Sequence, residues 1–314
     1  MKIGLDMMGG DFAPLEVVKG LHQYMSQPNH TANLFCIGDE AQLKPLLEEY
    51  NLSSSVQIVH APEVIGYNEH PTKAFKEKQQ SSIAIGFHLL AKGSIDAFIS
   101  AGNTGAMLVG ALFSIKAVPG VQRPAISTII PKLNGGTGLL LDVGLNADCK
   151  PEHLGQFAML GSLYAQHILG INSPRIGLMN VGEEEGKGNI LSQAVYPLLK
   201  NNTQLNFIGN IEGRDIFNDK CDVIVCDGFT GNVILKMAES VYDIAVQREL
   251  SKDSYFSRFH YENYGGTPVL GVAKPVIIGH GISNDIAFKN MILVAEKMVE
   301  SQLCEKMKDS FQSL

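Results

Sequence analysis

The chain has no tryptophan, no cysteines at metal-finger spacing and no apolar run long enough for a membrane span. The best apolar stretch, Met107 to Val118, is short and carries Lys116. Five cysteines (Cys36, Cys149, Cys221, Cys226, Cys304) are an odd set without a CxxC, which favours a reducing compartment over a disulfide framework. Cys149 has no neighbouring histidine to activate it and reads as an inert thiol. A signal peptide is missing too, since Met1 to Asp6 reads as a strand ending in a carboxylate, so a cytoplasmic protein is expected. There is no basic excess: the net charge of −7 argues against a nucleic-acid partner. Repeats, low-complexity tracts, a Walker GxxxxGK[ST], a GxGxxG and a GxSxG are all absent. Nucleophilic catalysis by the protein is therefore not indicated.

What is present is a compact composition, 45% hydrophobic and 18% charged, with 32 glycines. Short apolar runs pass at once into loops of Gly, Asn, Asp or Ser. Ile3–Leu5, Leu34–Ile37, Val56–Val59, Ile95–Ile99 and Leu139–Leu141 do so in the first half. Arg175–Met179, Leu205–Ile208, Val223–Val225 and Pro275–Ile278 follow in the second. Residues 14–26, 71–92, 106–117, 152–169 and 232–250 read as helices, and Phe288, Met291, Ile292, Ala295, Met298, Val299 and Leu303 share one helical face. Buried strands alternating with helices predict an α/β fold, a three-layer αβα arrangement on a mostly parallel sheet. It would span 1–314 as a single catalytic domain or as two closely joined lobes. Ligands of such sheets bind beyond the carboxyl ends of the strands, so the polar loops should converge there.

Two of these loops, Ala101–Ala106 and Asp227–Asn232, are small-residue turns between a strand and a helix. Free N–H groups and the helix dipole there suit an anion, although a plain helix-capping turn explains each equally well. Lys187, flanked by Gly186 and Gly188, and Lys150 together have the charge to neutralise a dianion. Glu183, Glu184 and Glu185 are open to three readings: facing solvent, orienting Lys187, or holding Mg²⁺, in that order of preference. His280, between two glycines at the last strand's end, is a candidate acid, base or hydrogen-bond donor.

Taken together, the loops resemble those of the PlsX family of phosphate acyltransferases of bacterial phospholipid synthesis. The matching stretches are Asp6–Asp11, Ser100–Ala106, Asp142–Glu152, Asn180–Asn189, Gly209–Asp215, Cys226–Asn232, Tyr264–Pro268 and Gly279–Asn284, in order along nearly the whole chain. Ile282 departs from the family's usual Ser and Leu145 from its usual Ala. The helical segment 237–263, expected to protrude, looks shorter than in many relatives, with few apolar residues among its charges. The resemblance implies a fold similar to phosphotransacetylases and, more broadly, isopropylmalate dehydrogenases, with no cofactor and no metal. It also implies a homodimer that transfers acyl groups from acyl-carrier protein to inorganic phosphate. The acyl phosphate would then pass to a membrane glycerol-3-phosphate acyltransferase, with the enzyme cytoplasmic or peripheral at the inner face of the membrane.

On that basis the catalytic candidates are Lys187, Asn232 and His280. Phosphate binding is assigned to Gly102, Asn103, Thr104, Lys150, Lys187 and Asn189, and Thr230 joins Asn232 and His280 near the thioester. Asp6, Asp11, Asp148 and Asp227 orient donors. The remaining substrate-binding candidates are Gly9, Gly10, Gly105, Asn146, Glu183, Gly188, Asn210, Gly231, Ser283 and Asn284. Lys73, Lys76, Lys78, Arg123 and Arg258 are candidates for contact with the acidic carrier. Three rival readings stay open: a phosphotransacetylase using acyl-CoA, a dehydrogenase of related architecture, and a non-catalytic sensor or scaffold.

Overall fold

The computed structural model describes residues 1–312. In chain order the elements begin β1 (Lys2–Asp6), α1 (Leu15–Met25), β2 (Asn33–Gly38), α2 (Glu40–Glu49), β3 (Val56–His60), α3 (Pro71–Glu77) and α4 (Ser82–Ala91). Then come β4 (Ala97–Ser100), α5 (Thr104–Gly110), β5 (Ala125–Pro131), β6 (Thr137–Leu141), α6 (Pro151–His167), β7 (Arg175–Met179) and α7 (Ile190–Lys200). The chain ends with β8 (Asn206–Ile211), β9 (Val223–Val225), α8 (Gly228–Gln247), β10 (Thr267–Leu270), β11 (Val276–Ile278), α9 (Asp285–Glu300) and α10 (Leu303–Gln312). Two compact units emerge: unit 1 is Met1–Val118 with Glu262–Cys304, and unit 2 is Pro119–Tyr261 with the described residues from Glu305 onward.

In unit 1 the strands run in the order β3-β2-β1-β4-β11-β10, parallel except for β10. The side chains of the central strands β1, β4 and β11 are buried almost throughout, as uninterrupted apolar runs require of a sheet covered on both faces, whereas the edge strand β3 is half-buried to exposed. The chain moves from β1 outward to β2 and β3, then jumps back across β1 to β4. Right-handed crossovers put helices made in opposite directions on opposite faces. The reversal opens a crevice at the carboxyl ends of β1 and β4, where Asp6 and Ser100 stand. The single helix expected over 71–92 is in fact α3 and α4. Gln80 and Ser81 leave the helix because Ser81 Oγ accepts the Ala84 N–H as a cap, while Gln80 and Ser82 donate to Glu63.

Unit 2 has the order β5-β6-β9-β7-β8, again parallel except for one strand, β5. Sequence reading missed β5 and β10, the antiparallel members. The β5–β6 hairpin does carry a signal in Asn134-Gly135: Gly135 has φ +88° and Asn134 Oδ1 accepts the Gly136 N–H at 2.9 Å. The strand expected to stop at Ile208 continues to Ile211 through an irregularity at Gly209 (φ +102°), so Asn210 lies on β8 and not in a loop.

Each unit buries an aspartate at the carboxyl end of a strand. Asp6 Oδ1 accepts Met8 N–H at 3.0 Å, and Oδ2 accepts the Ser100 hydroxyl at 2.6 Å. Asp142 collects the N–H groups of Ile126, Leu145 and Asn146 and the Asn146 side-chain amide. Burial raises both carboxyls above their ordinary value, against the lowering effect of these hydrogen bonds. A raised carboxyl favours the protonated folded state. Its stabilisation is complete below the ordinary value and is lost as pH rises through the raised one. The neutral Asp6→Asn variant has no such loss. The stability of wild type relative to Asp6→Asn should therefore be greatest below the ordinary carboxyl value of 3.8 and shrink as pH rises above it in urea titrations. A pH-independent difference would contradict the shift.

Candidate functional site

The unit 1 loops are built around Asp6. Gly9 packs so closely that an added Cβ would stand 2.5 Å from Asp6 Oδ2 and 2.7 Å from Gly102 N, which explains why no side chain is present there. Gly102 N–H donates to Ser100 Oγ at 2.9 Å, and Asp11 N–H donates to the Gly281 carbonyl at 2.7 Å. Asn103 caps α5, accepting Ala106 N–H at 2.9 Å, while its amide donates to the Gly66 carbonyl at 2.9 Å. The loop 280–284 closes on itself through Ser283 N–H to the His280 carbonyl, and Asn284 caps α9. Ser283 Oγ is buried without a hydrogen-bond partner. Asp6, Gly9, Gly10, Asp11, Gly102, Asn103 and the 280–284 loop thus come together in unit 1.

Tyr67 was missed. Its hydroxyl donates to the Ala101 carbonyl at 3.0 Å and lies against Gly281. Burial of the hydroxyl, with the negative charges of Asp11 and Asp6, pushes the phenol up to about 12, so it stays a donor across the working pH range. A lone Tyr in a loop carries no local pattern that would have revealed it.

In unit 2 the Asp142 loop and the start of α8 interlock. Gly228 N–H donates to the Asn146 carbonyl at 2.8 Å, Asn232 Nδ2 to the Val143 carbonyl at 3.1 Å, and Asp227 accepts both the N–H and hydroxyl of Thr230. A Cβ on Gly231 would run into the Asp142 carbonyl. The second cluster is the 180–192 loop: Asn180 Nδ2 donates to the Lys187 carbonyl, Asn189 Oδ1 caps α7 at Ser192, and Asn210 Nδ2 donates to the Glu184 carbonyl. Lys187 and Lys150 are exposed. Glu183 pairs with Lys220 at 2.6 Å and Glu185 with Lys200 at 2.8 Å. Such exposed pairs contribute little. Among the described residues, no group of three or more His, Cys, Asp or Glu is arranged to hold a metal.

Both clusters open on one cavity of about 580 Å³. Gly188, Asn189, Asp227 and Thr230 from the predicted set line it, with Asn180 and Ser192 beside them. Its remaining wall is largely apolar and draws on α6, β7, α7 and α8 and on residues 213–217. Lys187, Asn232, Asn146, Asp148 and Lys150 are not part of that lining.

The family described as "Fatty acid synthesis protein" matches residues 1–306. The chain belongs to this family, the PlsX family. A relative from Dictyoglomus turgidum named phosphate acyltransferase is 44% identical over 333 residues, covering 100% of this chain and 98% of its own length. Another of the same name, from Pelotomaculum thermopropionicum, is 45% identical over 332 residues, covering 100% and 96%. A solved phosphotransacetylase from Streptococcus pyogenes superposes with a TM-score of 0.65 at 18% identity, over 95% of this chain and 94% of that one. So distant a likeness speaks for the fold alone. As a PlsX-family member the chain is an acyltransferase of lipid biosynthesis.

The loop cysteine can be tested against this chemistry. Burial, with the charges of Asp142 and Asp227, pushes the Cys149 thiol up to about 11. Cys149→Ala should keep full activity. Alkylation of Cys149 at about pH 8 should run roughly a hundredfold slower than that of a free thiol of pKa about 8.5. Rapid modification accompanied by inactivation would contradict the assignment of Cys149 as a structural thiol.

Proposed function

We propose that this phosphate acyltransferase takes its acyl group as a thioester on acyl-carrier protein and transfers it to inorganic phosphate. The acyl phosphate is consumed in phospholipid synthesis. The observation that carries the reading is the family match across residues 1–306, which takes in the loops that carry the proposed roles.

A phosphate oxygen attacks the thioester carbonyl carbon. The tetrahedral adduct collapses with cleavage of the C–S bond, and the departing thiolate takes its proton from solvent. Phosphate is already a nucleophile near neutrality, and a thiol of pKa about 8.5 leaves readily, so the protein's work is positioning and charge stabilisation. In unit 2, Lys150, Lys187 and Asn189 are assigned to phosphate, and Asn232 and Thr230 to the developing oxyanion. Asp148 and Asp227 orient donors, and Asn146, Glu183, Gly188, Asn210 and Gly231 shape their loops. In unit 1, Gly102, Asn103, Thr104 and Gly105 are assigned to phosphate and His280 to the thioester. There Asp6, Gly9, Gly10, Asp11, Ser283 and Asn284 hold the loops in shape.

The carrier is acidic, and the basic candidates differ in availability. Lys78 is tied to Glu69 at 2.6 Å, and Arg258 donates to the Lys132 and Gly136 carbonyls. Lys73 and Lys76 on α3 are exposed, and we assign the carrier contact to them. A homodimer working in the cytoplasm, at the inner face of the membrane when it delivers product to a glycerol-3-phosphate acyltransferase, fits this scheme. Among the described residues no helix is long and apolar enough to cross a membrane.

The test is mass spectrometry of palmitoyl-carrier protein incubated with enzyme and phosphate, with palmitoyl-CoA in parallel. Acyl phosphate from the carrier substrate is expected. Product mainly from CoA would reassign the enzyme to the phosphotransacetylases, and none from either would favour a sensor or scaffold. Lys187→Ala should lower turnover by about 1.5–3 kcal/mol of transition-state stabilisation, the worth of a charged hydrogen bond. Lys73→Glu with Lys76→Glu should raise KM for the carrier and leave CoA kinetics unchanged. Unaltered kinetics in either variant would remove the corresponding assignment.

A further inference from the structure

An acyltransferase needs somewhere to put the hydrocarbon, and none of the residues assigned above supplies it. The unit 2 cavity has the required asymmetry. At one end lie Asn180, Gly188, Asn189, Ser192, Asp227 and Thr230, where the N-termini of α7 and α8 both open. Away from that end the wall becomes hydrocarbon. Ile234, Met237, Ala238 and Val241 form one face of α8 at i, i+3, i+4, i+7, and Leu178 and Phe217 also line the space.

We propose that this cavity is the subsite for the substrate's acyl chain, with the reacting carbonyl at the Asn189–Thr230 end and the methyl end near Val241. The proposal rests on the acyl-transfer reading and adds to it the place and length of the chain. From Thr230 to Val241, α8 advances roughly 16 Å at about 1.5 Å per residue. An extended chain covers about 1.2 Å per bond, so the trough takes about thirteen bonds beyond the carbonyl. The volume of 580 Å³ is in the range of small-molecule sites.

The alternative occupant with the right connection to the thioester is the amide-bearing arm of the carrier or of CoA. Leu178, Phe217, Ile234, Met237, Ala238 and Val241 offer no side-chain hydrogen-bond partner, so an amide placed among them would be stranded, whereas a methylene chain strands nothing. Met179 and Met237 give the wall two flexible thioethers able to follow chains of different length. The positive end of α7, capped by the neutral Asn189, favours the anionic phosphate over a hydrocarbon tail at the mouth. Buried methylenes should each improve kcat/KM by up to about fourfold until the trough is full.

The experiment fills the trough and reads chain length. Wild type, Ala238→Phe and Val241→Trp are assayed with carrier protein loaded with butyryl, octanoyl or palmitoyl groups. Their unfolding midpoints are measured alongside. In wild type, palmitoyl should be preferred. In the filled variants, kcat/KM for palmitoyl should fall at least about tenfold relative to butyryl. An equal change for all three chains, or none, would overturn the proposal. An independent measurement covers variants that do not fold: wild type is photolabelled with palmitate bearing a terminal diazirine, and the labelled peptide is sequenced. Label on residues 213–217 or 237–241 supports the subsite, and label confined elsewhere overturns it. If wild type makes no acyl phosphate from any thioester, the functional reading fails separately, because the photolabelling does not depend on turnover.

Discussion

A carboxylate buried at the end of a parallel strand organises the polar face of each unit. Asp6 and Asp142 stand where β1 and β6 stop, and each gathers donors from the loop that follows. Without them several N–H groups would sit in an apolar interior with nothing to accept them, a cost of about 1–3 kcal/mol for each one stranded. The glycines packed on these carboxylates follow from the same constraint. Gly9, Gly228 and Gly231 lie where any side chain would strike the aspartate or the loop it holds. The order of cause runs from strand end to carboxylate, from carboxylate to loop, and from loop to the helix N-terminus that the loop sets.

Much of this was legible in the residues. Parallel βα units announce themselves through buried runs that end in Gly, Asn and Asp, and the loops so marked are the ones that cluster in each unit. Their local chemistry was harder to read. Asn103, Asn189, Asp227 and Asn284 each spend a side-chain oxygen capping a helix. The capping explanation and the ligand explanation are therefore not alternatives, because a capped N-terminus still presents its remaining N–H groups.

What stayed illegible has a common physical cause. β5 is interrupted by Ser127 and Thr128, and β10 opens on Thr267-Pro268, so neither resembles the apolar runs of the parallel strands. Tyr67 acts through contacts with Ala101 and Gly281, far along the chain. The cavity is assembled from residues between Leu154 and Val241 on separate elements. Helical period locates one apolar face of α8 but not which partners leave space beside it. A void is a property of what fails to fill it, and no single stretch encodes that.

The interlock between α8 and the Asp142 loop limits how such an enzyme can diversify. Gly228 and Gly231 set the first turn of the helix against backbone so closely that neither position admits a side chain. With that turn anchored, side chains further along the helix set the depth and width of the adjoining trough. Selection for a different acyl length in this scaffold should thus act on a handful of positions one to three turns further on.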